Sequence, residues 1–200
     1  MWQADDRSKV DPYSGVTELD PATIFFAAFE LYRAQFEALE TKLNSRNEVV
    51  TAEVSIEVER DWRHATIYTA DFVVRKTNDG SAGITEVVPD RRVAFPPFSF
   101  VLNTATIHVE KLVWDRVRFS LPDGLPDLAA LDPVLGSWHW DWETMDLPRS
   151  EGVIHSICRG DKWVEIDFGS APPSAMYDVL DALVSTGVKE IRIDSDFKDN

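Results

Sequence analysis

The clearest pattern along the chain is an apolar stripe at helical spacing. Phe25, Phe29, Tyr32, Phe36, Leu39 and Leu43 recur at intervals of four, three, four, three and four residues. That spacing puts all six on one face of a helix. Asp20-Pro21 supplies a start, because Asp caps free N–H groups and Pro suits a first helical position where its missing N–H had no partner. The pattern predicts a helix from Pro21 to between Asn44 and Asn47, about 39 Å long at about 1.5 Å per residue. An aromatic stripe of that length needs a broad apolar surface beneath it, most simply a sheet.

The period then changes to two. Val50, Ala52, Val54, Ile56 and Val58 alternate with Thr51, Glu53, Ser55, Glu57 and Glu59, which predicts a half-buried strand with an acidic outer face. Ala65 to Arg75 reads as the returning strand and Thr77 to Ser81 as a turn. Ile84 to Val88 is a short strand cut by Pro89, and Phe100 to Lys111 and Trp114 to Leu121 follow as further strands. The expectation is a long helix over an antiparallel sheet of about four or five strands.

The C-terminal part has a different order. Val153 to Cys158 and Lys162 to Phe168 read as a hairpin around Arg159-Gly160-Asp161. Met176, Val179, Leu180 and Leu183 mark a helix, Gly187 suits the position just past its end, and Lys189 to Ile193 is the last strand. Strand, helix and strand in one sheet imply a parallel, right-handed crossover. The fold class expected is therefore α+β: a long N-terminal helix packed on an antiparallel sheet, then a C-terminal ββαβ unit in a mixed sheet. The organisation reads as an irregular segment over 1–19, helix plus sheet over 20–121, a connecting segment over 122–148 and the ββαβ unit over 149–200. That last unit either extends the first sheet or forms a second small lobe.

Composition narrows the partners. The 200 residues carry 20 Lys and Arg against 35 Asp and Glu, a formal charge of −15, with 44% hydrophobic residues. The apolar fraction is that of an ordinary folded chain. The charge disfavours nucleic acid and anionic membrane surfaces and favours a basic partner. The longest uncharged apolar run, Ile24 to Phe29, is six residues, where a membrane-spanning helix needs about 20. The first residues show no basic stretch followed by an apolar one, so no signal peptide is expected. The single cysteine, Cys158, allows no internal disulfide and no multi-cysteine zinc site. A cytoplasmic location is the resulting expectation.

The connecting segment holds the candidate chemistry. Gly136-Ser137-Trp138-His139-Trp140-Asp141-Trp142-Glu143-Thr144 alternates indoles with His, Asp and Glu. If it is extended, Trp138, Trp140 and Trp142 share one side, while His139, Asp141 and Glu143 share the other. If it is helical, Trp138 stacks over Trp142 and His139 sits beside Glu143. Between Arg118 and Arg149 there is no Lys or Arg, and six acidic residues stand in that interval. Trp among carboxylates is the composition of a docking surface, with indoles as anchors and charge to steer a basic partner. Trp138, Trp140, Trp142, Asp141 and Glu143 are the candidate binding residues. His139, Asp141 and Glu143 are the alternative, as ligands for a divalent metal.

No phosphate-binding loop, dinucleotide fingerprint, zinc-protease helix, EF-hand loop or nucleophile elbow occurs. His108-Val109-Glu110 matches half of a zinc deaminase signature, whose cysteine half one Cys cannot complete. No catalytic residue and no cofactor is assigned. The functional expectation is an acidic protein-binding module, of the kind that acts as an inhibitor or immunity protein against a basic partner. The alternative is a small-molecule-binding or hydrolytic domain with an aromatic-lined pocket between the helix and the sheet, walled in part by Trp114.

Overall fold

Asp20 caps the first helix as its sequence implies. Its side chain accepts from the Ala22 N–H at 3.1 Å and from the Thr23 hydroxyl at 3.1 Å. Helix α1 runs Pro21–Asn44 in the computed structural model, which describes residues 19–46, 48–57, 67–124, 131–138 and 152–195. Two sheets follow. Strands β1 (Glu48–Glu57), β2 (Ile67–Lys76) and β3 (Ala82–Thr85) form an antiparallel three-stranded sheet in sequence order. The second sheet has six strands in the order β4-β5-β9-β6-β8-β7, built from β4 (Phe98–Leu102), β5 (Ala105–Lys111), β6 (Val117–Ser120), β7 (Ser156–Gly160), β8 (Trp163–Asp167) and β9 (Glu190–Asp194). Helices α2 (Asp132–Trp138) and α3 (Pro173–Ser185) complete the described elements. The fold is α+β, with a mixed second sheet.

One expectation is corrected here. The four or five antiparallel strands do not form a single sheet under α1. The chain leaves β3 through residues 86–97, which carry Pro89, Pro96 and Pro97 and form no strand. Proline has no N–H to give a ladder, so β4 starts a new sheet instead of extending the first. Phe100 to Lys111 is also not one strand. It is the end of a hairpin that turns at Asn103-Thr104, where Asn103 adopts φ 52°. Asn tolerates that left-handed backbone better than most residues.

The C-terminal crossover is present with an insertion. Strand β8 leads through α3 to β9, but β6 lies between them and pairs antiparallel with both. β9 also pairs parallel with β5. The regions before and after residue 148 thus share one sheet. Gly187 ends α3 with φ 94°, as its position predicts.

Helix α1 straps the two sheets together. Its apolar face meets β1, β2 and α3. Phe36 stacks on Phe72 of β2 at 4.5 Å, and Phe29 meets Trp114, ahead of β6, edge-on at 5.8 Å. Phe25, Phe72, Trp114, Phe119 and Phe168 are all fully buried. Of the stripe itself, Phe25, Tyr32 and Leu43 are buried and Phe29, Phe36 and Leu39 pack partly buried against the same core, each buried ring contributing about 1.5–3 kcal/mol. The space left between α1 and Trp114 measures about 10 Å³, room for one water at most. Among the described residues, the space beside Trp114 itself is therefore too small for a small-molecule ligand.

Candidate functional site

The site begins with a charge inside an apolar strand. In β2, Asp71 sits between Ala70 and Phe72 and is 4% exposed. A lone buried carboxylate is costly unless it is paired and hydrogen-bonded. Asp71 has both. The Tyr32 hydroxyl of α1 donates to Oδ1 at 2.6 Å, and the Val87 N–H donates to Oδ2 at 2.6 Å. His155 Nδ1 stands 3.1 Å from Oδ1. That last contact is off the hydrogen-bond axis, so charge carries it.

His155 is fully buried just before β7. Its other ring nitrogen, Nε2, lies 3.1 Å from Glu53 Oε1. Its backbone is equally committed. The carbonyl accepts from Thr69 N–H of β2 at 2.9 Å, and the N–H donates to the Asp167 carbonyl of β8 at 2.9 Å. One residue therefore ties the small sheet to the large one. Burial lowers the imidazole pKa, but the contacts with Asp71 and Glu53 outweigh it and push it up to about 10. His155 is charged at neutral pH. Burial also raises the Asp71 carboxyl, yet His155, Tyr32 and the Val87 N–H together hold it below the usual carboxylate range.

Two local features make room for this pair. Glu53, which strand alternation placed on the outer face, turns inward instead. Its backbone has φ 50°, a left-handed conformation that costs a non-glycine residue about 1–2 kcal/mol. The strain aims its carboxylate at His155. Gly169, with φ 49°, lies against the imidazole so closely that a Cβ would collide with the ring.

Beside the pair, between the sheets, opens a cavity of about 250 Å³. Five carboxylates line it: Asp71, Glu86, Asp115, Glu165 and Asp167. Among the described residues Arg116 is the one cationic side chain in that lining. Glu86 follows β3 and takes hydrogen bonds from the Tyr68 hydroxyl and, at 3.1 Å, from the Asp71 N–H. Asp115 occupies the turn before β6. Glu165 and Asp167 lie on β8, and Glu165 pairs with Arg118 at 2.8 Å.

Crowding shows in the acidities. Burial, with added repulsion from Asp115 and Asp71, pushes the Asp167 carboxyl up to about 7 against the pull of His155. Burial pushes Asp115 up to about 6, with Arg116 opposing. Burial also raises Glu86. Asp115 Oδ1 is buried with no hydrogen-bond partner among the described residues. Cys158 lines the same space, and burial followed by repulsion from Glu165 and Asp167 raises its thiol, the reverse of what a reactive thiolate needs.

Of the residues expected from the sequence, Trp138 alone is among the described residues. Trp138 ends α2 with its indole fully buried and its Nε1–H donating to Asp178 of α3 at 2.8 Å. It is a core side chain and presents no docking face. Trp140, Trp142, His139, Asp141 and Glu143 lie outside the described residues. Among the described residues no three His, Cys, Asp or Glu side chains come together as ligands for a metal ion. No helix among the described residues is long and apolar enough to cross a membrane. The signal that sequence reading missed is Asp71, one acidic residue in the run Tyr68-Thr69-Ala70-Asp71-Phe72-Val73-Val74. A charge there requires a buried partner.

No protein-family model, curated protein or solved structure matches the chain.

Proposed function

We propose that this chain is an acidic binding module whose inter-sheet cavity receives a cationic side chain, lysine or arginine, from a basic partner protein. One observation carries the reading: five carboxylates converge on a space of about 250 Å³. Low-dielectric walls focus the field of such a cluster and raise the local concentration of cations. An ammonium or guanidinium placed there supplies the neutralising charge that the raised Asp115 and Asp167 lack. It also gives the buried Asp115 Oδ1 a donor. The net charge of −15 on the whole chain steers a basic surface toward the opening. Covering a partner's basic site is how such a module would act as an inhibitor or immunity-type protein.

The test uses a deca-arginine peptide and isothermal titration calorimetry. The reading predicts saturable binding that weakens steeply between 50 and 300 mM salt, about as expected when the Debye length shrinks well below 10 Å. It also predicts about tenfold weaker binding for the Asp115→Asn, Asp167→Asn double variant, a loss of about 1.4 kcal/mol. Equal affinity for the wild type and the double variant would refute the cavity as the site.

A further inference from the structure

The outer face of the large sheet carries a second cluster, far along the same sheet from the acidic cavity. The β4–β5 register sets Ser99 opposite His108, and the β5–β9 register sets His108 opposite Arg192. Glu190 stands two residues before Arg192 on the same face of β9. Ser99 Oγ lies 2.7 Å from His108 Nδ1. The other ring nitrogen, Nε2, lies 3.9 Å from Glu190 Oε1. Arg192 holds that same oxygen through Nε and Nη2, each at 2.8 Å. Ser99, His108 and Arg192 all line an open cavity of about 300 Å³, one wall of which is Pro97 and Phe98.

We infer that Ser99, His108 and Glu190 form an acyl-transfer site for small carboxylic esters. The order of the groups carries the argument. A nucleophile within hydrogen-bond reach of a base, with the base oriented by a third group, is the arrangement that activates a hydroxyl. Glu190 favours the tautomer with its proton on Nε2, which leaves Nδ1 free to accept from Ser99. Separations looser than a hydrogen bond are common before substrate binds. Phe98 and Pro97 offer an apolar wall for the acyl chain, and the Arg192 guanidinium brings positive charge to the cavity where an oxyanion forms.

The step balances without an added reagent. Ser99 Oγ bonds to the ester carbonyl carbon while its proton passes to His108 Nδ1. The bond to the alkoxide then breaks, and the alkoxide leaves with that proton as an alcohol. Water repeats the sequence on the acyl-serine, giving the carboxylic acid and restoring Ser99. His108 and Ser99 are the catalytic residues of this scheme, and Glu190 is a positioning residue.

The experiment is p-nitrophenyl acetate hydrolysis by the full chain, with intact-mass and peptide mapping of quenched samples. The prediction is an acetyl adduct on Ser99 and a rate lowered about 100-fold in both Ser99→Ala and His108→Gln. Glu190→Gln should shift the pH–rate profile and leave the adduct on Ser99. Ser99 is exposed and His108 half-buried, and unchanged thermal unfolding will show that the variants fold. No adduct on Ser99, or a Ser99→Ala variant as fast as wild type, would overturn the assignment. The second result would mean that imidazole acts alone.

Discussion

His155 Nδ1 lies 3.1 Å from Asp71 Oδ1 at a place where the imidazole is fully buried. The pair joins a strand of the small sheet to the chain entering the large one. It also sets the electrostatic frame of the acidic cavity, since Asp71 lines that cavity and His155 sits behind it. Removing one partner strands the other charge away from water.

Asp71→Asn and His155→Gln should each destabilise the fold by about 3–5 kcal/mol, the cost of leaving one half of a buried ion pair unmatched. The double replacement should cost less than the sum, because the contact is lost once. Urea unfolding of the four proteins measures this. Additive losses would mean that the two groups do not act as a pair.

The same pair fixes a pH window. The folded His155 value of about 10 lies above the unfolded value of 6.5. Its contribution is fully present below pH 6.5 and is lost as pH rises through 10. Asp71 is held below its ordinary value, so its contribution is present above that value and is lost as pH falls through the folded one. Stability measured from pH 3 to 11 should therefore fall at both ends. In His155→Gln the part of the alkaline fall between about pH 6.5 and 10 should disappear, while the fall that sets in above about pH 9–10 from the raised Cys158, Tyr32 and Tyr68 should remain.

Asp167 works in the opposite sense. Its folded value of about 7 lies above the ordinary 3.8, so between these values the folded chain holds more proton than the unfolded one. Its contribution favours folding at low pH and declines as pH rises toward 7. Asp167→Asn should gain about 1–3 kcal/mol at pH 8, on the scale of about 1.4 kcal/mol per pKa unit reduced by water in the cavity. It should show no gain at pH 4. Thermal unfolding at the two pH values checks the sign.

Backbone strain at Glu53 can be separated from its carboxylate. Glycine adopts φ 50° without the penalty that a Cβ brings. Glu53→Gly should therefore be more stable than Glu53→Ala by about 1 kcal/mol, although neither retains the contact with His155. Gly169→Ala should lose about 2 kcal/mol or more, from the positive φ and from collision with the imidazole. Unfolding midpoints of these variants measure both effects.

Much of the fold was legible from periodicity. The stripe from Phe25 to Leu43, the cap at Asp20 and the stop at Gly187 are local features, and α1 and α3 follow from them. Less legible were places where a residue answers to a distant partner. Glu53 breaks the alternation of β1 because His155, about a hundred residues later in the chain, draws it inward. The Asn103-Thr104 turn lacks the glycine that marks the commonest hairpins, so the two strands it joins read as one. The cavity is assembled from β2, the segment after β3, the turn before β6, and β8. Those carboxylates are scattered in sequence and meet because β8 pairs with β6 and because His155 ties β2 to β8. Counting charge pointed to residues 119–148, but the five carboxylates that converge among the described residues all lie outside that interval.

The cavity reading is tested most directly by mapping where a single cation binds. Amide chemical shifts of the labelled full chain can be followed while Nα-acetyl-arginine amide is added, with the neutral isostere Nα-acetyl-citrulline amide as control. Saturable shifts are expected at Tyr68, Asp71, Glu86, Asp115 and Asp167 with arginine alone. Affinity should rise from pH 5.5 to pH 8 as Asp115, at about 6, and Asp167, at about 7, lose their protons. Equal shifts from citrulline, or binding that strengthens as the pH falls, would contradict it.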